Sequence, residues 1–184
     1  MFAVSTRVRA IVVLAAVMIA PISLLSENQL APAAFNKEQN ALPPAVTNIL
    51  KKGERFILLS LDPNIVIEER AGKPAKELFQ KELFHQYQVR RKVEIRTHEG
   101  RDELLRVLYK GIAVSEGWVA MCFNPRHGIR AVLGDETMDL VICFECFSIK
   151  VHGKVETQVL TIGSAAPTLN RALTRSASAT AKPR

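Results

Sequence analysis

Residues 118–151 read WVAMCFNPRHGIRAVLGDETMDLVICFECFSIKV, two apolar segments with a turn signal between them. The turn signal is Gly134-Asp135, a pair typical of tight turns. After it, Met138–Val151 is the strongest strand candidate in the chain because it is almost continuously apolar. Before it, Trp118–Phe123 is predicted to be a strand, which Pro125 interrupts. The pattern predicts a long antiparallel hairpin over about 118–151.

The residues outside this hairpin predict a helix and further strands. Leu104, Leu105, Leu108 and Ile112 form one apolar stripe, which predicts an amphipathic helix over about 100–112. Apolar or alternating runs predict strands over 55–61, 83–96 (broken near Arg90) and 155–162. The fold class is therefore α+β: an antiparallel sheet built round the hairpin, with the 100–112 helix packed on it.

The first 33 residues are predicted to be a signal peptide or an N-terminal membrane anchor. Arg7 and Arg9 precede an apolar run over residues 10–25, and Ala31-Pro32-Ala33 offers a cleavage motif. A membrane-spanning helix needs about 20 residues, so the run is short for an anchor, although flanking residues could extend it. Under either interpretation the rest of the chain is extracytoplasmic, secreted or held at the cytoplasmic membrane by residues 10–25.

The remaining chain divides into three parts. Residues 34–54 are predicted to be a linker with a short helix that starts at Pro44 and ends before Gly53. Residues 55–163 form the single α+β domain. Residues 164–184 are predicted to be a short helix from Pro167 and a disordered basic tail.

The net charge of +7 lies mostly outside the domain. Residues 26–163 carry 19 basic and 18 acidic side chains, so the folded part is close to neutral. Nucleic-acid binding needs several basic groups on one face, and the one dense basic run, Arg90-Arg91-Lys92, fits a solvated surface. We therefore expect no nucleic-acid partner.

The predicted hairpin brings the three cysteines and one histidine together. Facing residues have numbers that sum to about 269, so His127 lies opposite Ile142, and Cys122 lies opposite Phe147. Cys143 and Cys146 would then be within two or three residue pairs of both. Four interpretations remain open: a disulfide of Cys122 with Cys146 or Cys143, a zinc site, three buried thiols, and a redox-active Cys-x-x-Cys.

The disulfide is favoured because the location is oxidising and cross-strand neighbours meet its geometry. A zinc site would use Cys122, His127, Cys143 and Cys146 as a tetrahedral ligand set. Cys143 and Cys146 point to opposite faces if one strand carries both, which argues against zinc. No cofactor is expected otherwise.

A few polar side chains elsewhere are candidates for a pocket. His85 beside Tyr87 could line one, although a satisfied, half-buried histidine is the simpler interpretation. Arg126 and Arg130 could hold an anion, but pairing with Glu145 or Asp139 is the simpler prediction. His152 is predicted to lie on the surface.

Three segments resemble those of a family of small uncharacterised bacterial exported proteins. They are Ser60-Leu-Asp-Pro63, Cys122–Arg130 and Asp139–Cys146, and the resemblance spans roughly residues 55–173. It implies export and no particular activity.

Two function hypotheses follow. The first is a non-enzymatic extracytoplasmic module that binds a protein or envelope partner and meets the membrane only through its N-terminal segment. The second is a metalloprotein or enzyme with a Cys3His zinc-type site.

Overall fold

The computed structural model describes residues 35–65 and 82–179. Seven antiparallel strands form one curled sheet in the order β2-β3-β1-β4-β5-β6-β7. The strands are β1 (Arg55–Ile65), β2 (Leu83–Phe84), β3 (Tyr87–Glu94), β4 (His127–Leu133), β5 (Glu136–Cys143), β6 (Ser148–His152) and β7 (Thr157–Leu160). The helices are α1 (Pro44–Lys52), α2 (His98–Ala113) and α3 (Ala166–Ala179), the last preceded by a 3₁₀ turn (Gly163–Ala165). The α+β prediction is confirmed.

The predicted helices form where their sequence signals stand. Pro44 opens α1, where a missing backbone N–H costs nothing, and Gly53 follows its last residue. Thr97 caps α2 by accepting a hydrogen bond from the Gly100 amide at 3.1 Å. Leu104, Leu105, Leu108 and Ile112 are all buried, so the apolar stripe of α2 faces the core as predicted.

The central hairpin has the predicted register but is shorter than expected. His127 pairs with Ile142 and Gly128 with Val141 across the Gly134-Asp135 turn. Trp118–Phe123, however, is irregular and not a strand. Pro125, which is buried beside the start of β4, has no amide to continue the ladder.

Two predicted strands are each interrupted by a turn. Met138–Val151 comprises β5 and β6, which a turn at residues 144–147 separates, and Phe147 there has φ +56°. Residues 83–96 turn at His85-Gln86, with φ +47° and +73°, and near Arg90 the strand is bulged, since the pairing with β1 passes from Arg91 to Val89. Neither turn contains a glycine, so neither carried the usual sequence signal.

The two faces of the sheet bury two separate clusters. All three helices cover one face with a large core that includes Leu50 of α1, Leu108 of α2 and Leu169 of α3. The other face holds a smaller cluster: Ile57, Leu59, Leu61, Phe84, Tyr87 and Val141. The core therefore includes α1, which precedes the predicted domain at residues 55–163 in the sequence, and α3, which follows it.

Several predictions fall on residues outside the described part of the chain. They are the signal peptide or anchor at 1–33 and the last five residues of the predicted basic tail. Among the described helices, none is long and apolar enough to cross a membrane.

Candidate functional site

Three polar side chains stand in one row on the face away from the helices. Arg130 pairs with Asp139 between β4 and β5, and Asp139 pairs with His152 between β5 and β6. Residues two positions along a strand share a face. Val141 and Lys150, which also pair with each other, therefore form the next row on the same face.

Asp139 is the centre of this row. Arg130 donates two hydrogen bonds to its carboxylate, at 2.8 and 2.6 Å, and the His85 Nε2 lies 2.8 Å from Oδ2. The side chain of Asp139 is only 6% exposed. The same carboxylate raises the pKa of Arg130 above its ordinary value, chiefly through these hydrogen bonds. A buried carboxylate with this many donors is a fixed acceptor for His85.

His85 reaches Asp139 from a strained turn. His85 and Gln86 are the two central residues of the β2–β3 hairpin, and both have positive φ. A two-residue turn of this kind is usually built from Asn and Gly, and each other residue costs about 1 kcal/mol or more in the left-handed region. Strain of this kind persists where surrounding contacts hold it, and it is concentrated at functional sites.

The ring of His85 stacks on the ring of His152. Their centroids are 4.1 Å apart and their planes are inclined by 18°. Burial lowers the pKa of His152 below its ordinary value, and the proximity of His85 adds to this effect. Both side chains remain about 30% exposed, at 31% and 28%, so both are open to a ligand from solvent.

A pocket of about 240 Å³ opens beside the two imidazoles. Its wall residues are His85, Gln86, Tyr87, Phe123, Val141, Lys150 and His152. The Lys150 ammonium lies 4.2 Å from the centroid of the Phe123 ring, and the Tyr87 and Phe123 rings meet edge to face at 6.4 Å. We call these seven residues the histidine pocket. It combines flat apolar walls with three basic side chains.

The histidine pocket presents positive charge to a ligand. Asp139 already accepts from Arg130 and His85, which leaves little capacity for another donor. Within the described part of the chain, Lys150 has no carboxylate within ion-pair distance. The arrangement suits a small ligand with one anionic group and an apolar body.

Comparison with family models, with curated proteins and with solved structures finds no match for this chain.

The predicted Cys/His cluster does contain a disulfide, but its two cysteines are the pair of the Cys-x-x-Cys interpretation. Cys143 forms a disulfide with Cys146, not with Cys122, which is free and exposed. The prediction of a Cys122 bond was wrong because Trp118–Phe123 is not a strand and does not reach the ladder. The turn at residues 144–147 also removes the objection that Cys143 and Cys146 point to opposite faces.

His127 is separated from both sulfurs by the sheet itself. It shares the helix-covered face with Ile129 and Ala131, whereas Cys143 shares the opposite face with Asp139 and Val141. Its Nε2 lies 2.8 Å from Oδ1 of Asn170 on α3, and burial lowers its pKa. The described residues contain no group of three or more His, Cys, Asp or Glu side chains able to hold a metal ion.

The other candidates pair as the simpler prediction had it. Arg126 and Glu145 form an exposed ion pair at 3.2 Å, away from the histidine pocket. Arg130 pairs with Asp139 and is not among the wall residues of the pocket. His152 and Lys150 were missed as site residues, and their spacing of two along one strand was the available signal.

Proposed function

We propose that this chain is an extracytoplasmic, non-enzymatic binding module that holds a small anionic ligand in the histidine pocket. The observation that supports binding is the left-handed His85-Gln86 turn at the pocket, whose His85 side chain is held by Asp139. A folded chain keeps such strain where the side chain it positions has a use.

The charges and walls of the pocket indicate the ligand class. Lys150 is the one permanently charged donor among the wall residues, and His152 gains charge as the pH falls. The Phe123 and Tyr87 rings favour a flat, apolar body next to the anionic group. An aromatic or short-chain carboxylate has both parts.

Titration calorimetry with benzoate and benzamide tests this assignment, because the two differ mainly in charge. Benzoate is expected to bind, and to bind more tightly as His152 protonates at lower pH, whereas benzamide is expected to bind at least about tenfold more weakly. Lys150→Met keeps the stem over Phe123 and removes the charge, so it should abolish the preference at neutral pH, where His152 is uncharged. Lys154→Met is the matched control, since Lys154 pairs with Glu136 away from the pocket. Equal binding of benzoate and benzamide, or none of either, refutes the proposal.

The disulfide supports the extracytoplasmic location, because structural disulfides persist in oxidising compartments. The N-terminal segment and the resemblance to exported proteins support the same location. Cells are quenched in acid, the chain is denatured, and its free thiols are counted with a maleimide. One free thiol is expected in the wild type and none in Cys122→Ser. Three free thiols in the wild type and two in Cys122→Ser would place the chain in a reducing compartment and contradict the proposal.

The Cys3His zinc site is not proposed as a function. Two of its four ligands form the disulfide, and His127 lies on the opposite face of the sheet from Cys143.

A further inference from the structure

Within the described part of the chain, most of the large exposed apolar side chains lie around Trp118. In the described residues, six of the seven large apolar side chains that are exposed lie there; Leu83 is the seventh. The six are Phe35, Val114, Trp118, Val119, Met121 and Phe147. Trp118 is 75% exposed and Met121 fully exposed. We call these six residues the Trp118 surface; concentrated apolar exposure of this kind marks an interaction site.

Contacts within the domain connect these residues. Val114, Trp118 and Phe147 line a mostly apolar cavity of about 400 Å³. Gly117, with φ +91°, packs so closely on the Phe35 ring that a Cβ there would lie 2.6 Å from it. The cavity and the Gly117–Phe35 contact therefore connect four of the six, and Val119 and Met121 follow Trp118 in the same loop.

The disulfide turn holds the loop that carries Trp118. The amide of Ala120 donates to the Cys146 carbonyl at 3.2 Å, and the amide of Asn124 donates to the Cys146 Sγ at 3.3 Å. Both hydrogen bonds go to the residue that the Cys143 bond fixes. The loop that carries Trp118 is thus attached, through Ala120 and Asn124, to the turn that the disulfide cross-links.

The start of the described chain indicates what covers this surface. Phe35 belongs to the Trp118 surface, and only residues 26–34 separate it from the apolar run 10–25. Nine residues span at most about 30 Å when extended. If residues 10–25 stay in a membrane, the bilayer is within reach of this side of the domain. Tryptophan is enriched where proteins meet the lipid headgroups.

We propose that the Trp118 surface docks on the lipid bilayer that holds residues 10–25. The proposal rests on the extracytoplasmic location proposed above and commits to the tethered form. Trp118, Val119 and Met121 enter the interfacial region, and the tether supplies the high local concentration that such a small apolar surface needs.

The chain supplies its own reporter, because Trp118 is its single tryptophan. The full-length protein is reconstituted into vesicles of phosphatidylethanolamine and phosphatidylglycerol. Trp118 emission is expected to shift to the blue relative to the same protein in detergent with urea, to resist acrylamide, and to be quenched by lipids brominated near the headgroup.

Two variants separate docking from folding. Val119→Ser with Met121→Ser keeps the reporter and is expected to lose most of the bromolipid quenching. Leu83→Ser removes the one large exposed apolar side chain that the described residues carry outside the surface, and it is expected to change nothing. Circular dichroism checks that both variants fold.

Three results would overturn the proposal. The first is a Trp118 that stays fully accessible to acrylamide in vesicles. The second is shielding that arises only when membrane proteins are added, which would assign the surface to a protein partner. The third is an exported product that begins near residue 34 and is soluble. Benzoate binding and the thiol count are measured separately, so the failure of docking is distinguishable from the failure of the proposed function.

Discussion

Gly128 leaves room for the β2–β3 hairpin, because the Phe84 side chain of β2 packs directly on it. A Cβ at this position would lie 2.7 Å from Cε1 of Phe84 and 3.3 Å from Cδ1 of Leu59. The Arg130 guanidinium lies over the Phe84 ring, 5.2 Å from the ring centroid. Phe84 is the residue directly before His85. The absence of a side chain at Gly128 therefore allows the position of Phe84, and with it that of His85, which binds Asp139.

Gly128→Ala is expected to lower the free energy of unfolding by about 1–3 kcal/mol, because the Phe84 ring must move in a packed cluster. Urea unfolding measures the change. Gly163→Ala is the control, since nothing lies within 4 Å of a Cβ there. Equal effects of the two substitutions would contradict the role given to Gly128.

His127 makes stability depend on pH. Burial holds its pKa below the ordinary 6.5, so the unfolded chain takes up a proton that the folded chain does not. The free energy of unfolding therefore falls as the pH drops through 6.5 towards the folded-state pKa.

His127→Gln is expected to reduce this loss of stability, because glutamine can still donate to Asn170 and does not titrate. Urea unfolding at about pH 7.5 and about pH 5 measures it. His152 retains a loss of the same sign, since its pKa is also lowered. His98→Gln, at an exposed position, should leave the wild-type pH dependence in place. If His127→Gln loses as much unfolding free energy between the two pH values as the wild type does, the assignment of this loss to His127 is refuted.

The β5–β6 turn is the element that decides both the disulfide and the Trp118 loop. Cys143 ends β5, Cys146 lies within the turn, and the pairing of Cys143 with Ser148 starts β6. The bond closes a loop of only four residues. Because a short loop loses little entropy when closed, the bond contributes about 2 kcal/mol to stability in the chain-entropy account.

Cys143→Ser and Cys146→Ser are expected to lower stability equally, by about 2 kcal/mol, with the double variant no worse than either single one. Cys122→Ser should have no effect, because Cys122 is exposed and unbonded. Thermal and urea unfolding under non-reducing conditions measure all four variants. A loss for Cys122→Ser equal to that of one of the other two, with no loss for the third, would show that the bond is formed by a different pair.

In the molecule as a whole, the helix-covered face of the sheet contributes most of the hydrophobic core, and the opposite face carries the histidine pocket. Leu169 of α3 is fully buried, and Arg91 of β3 donates to the Leu173 carbonyl at 3.1 Å. Asn170 from the same helix holds His127. The C-terminal helix is therefore part of the domain and supports the sheet behind the histidine pocket.

Leu169→Ala is expected to lower the free energy of unfolding by about 2–5 kcal/mol, the range for a fully buried leucine. Thr174→Ala on the exposed side of the same helix should cost less than about 0.5 kcal/mol. Urea unfolding compares them. A small loss for Leu169→Ala would mean that α3 is dispensable for the fold.

The sequence by itself determined the elements whose signals are local. The Gly134-Asp135 turn set the register of His127 with Ile142, and the leucine stripe and Pro44 placed α2 and α1. These predictions held because turn chemistry and 3.6-residue periodicity act over a few residues.

Only the tertiary structure decided where the chain turns without glycine, and therefore which side chains meet. His85, Gln86 and Phe147 adopt left-handed conformations in turns without glycine, and distant contacts such as that of Asp139 with His85 hold the first of these turns. Those two turns placed His85 over His152 and joined Cys143 to Cys146. The site depends on contacts between residues up to 67 positions apart, whose free energy exists only once the sheet has formed.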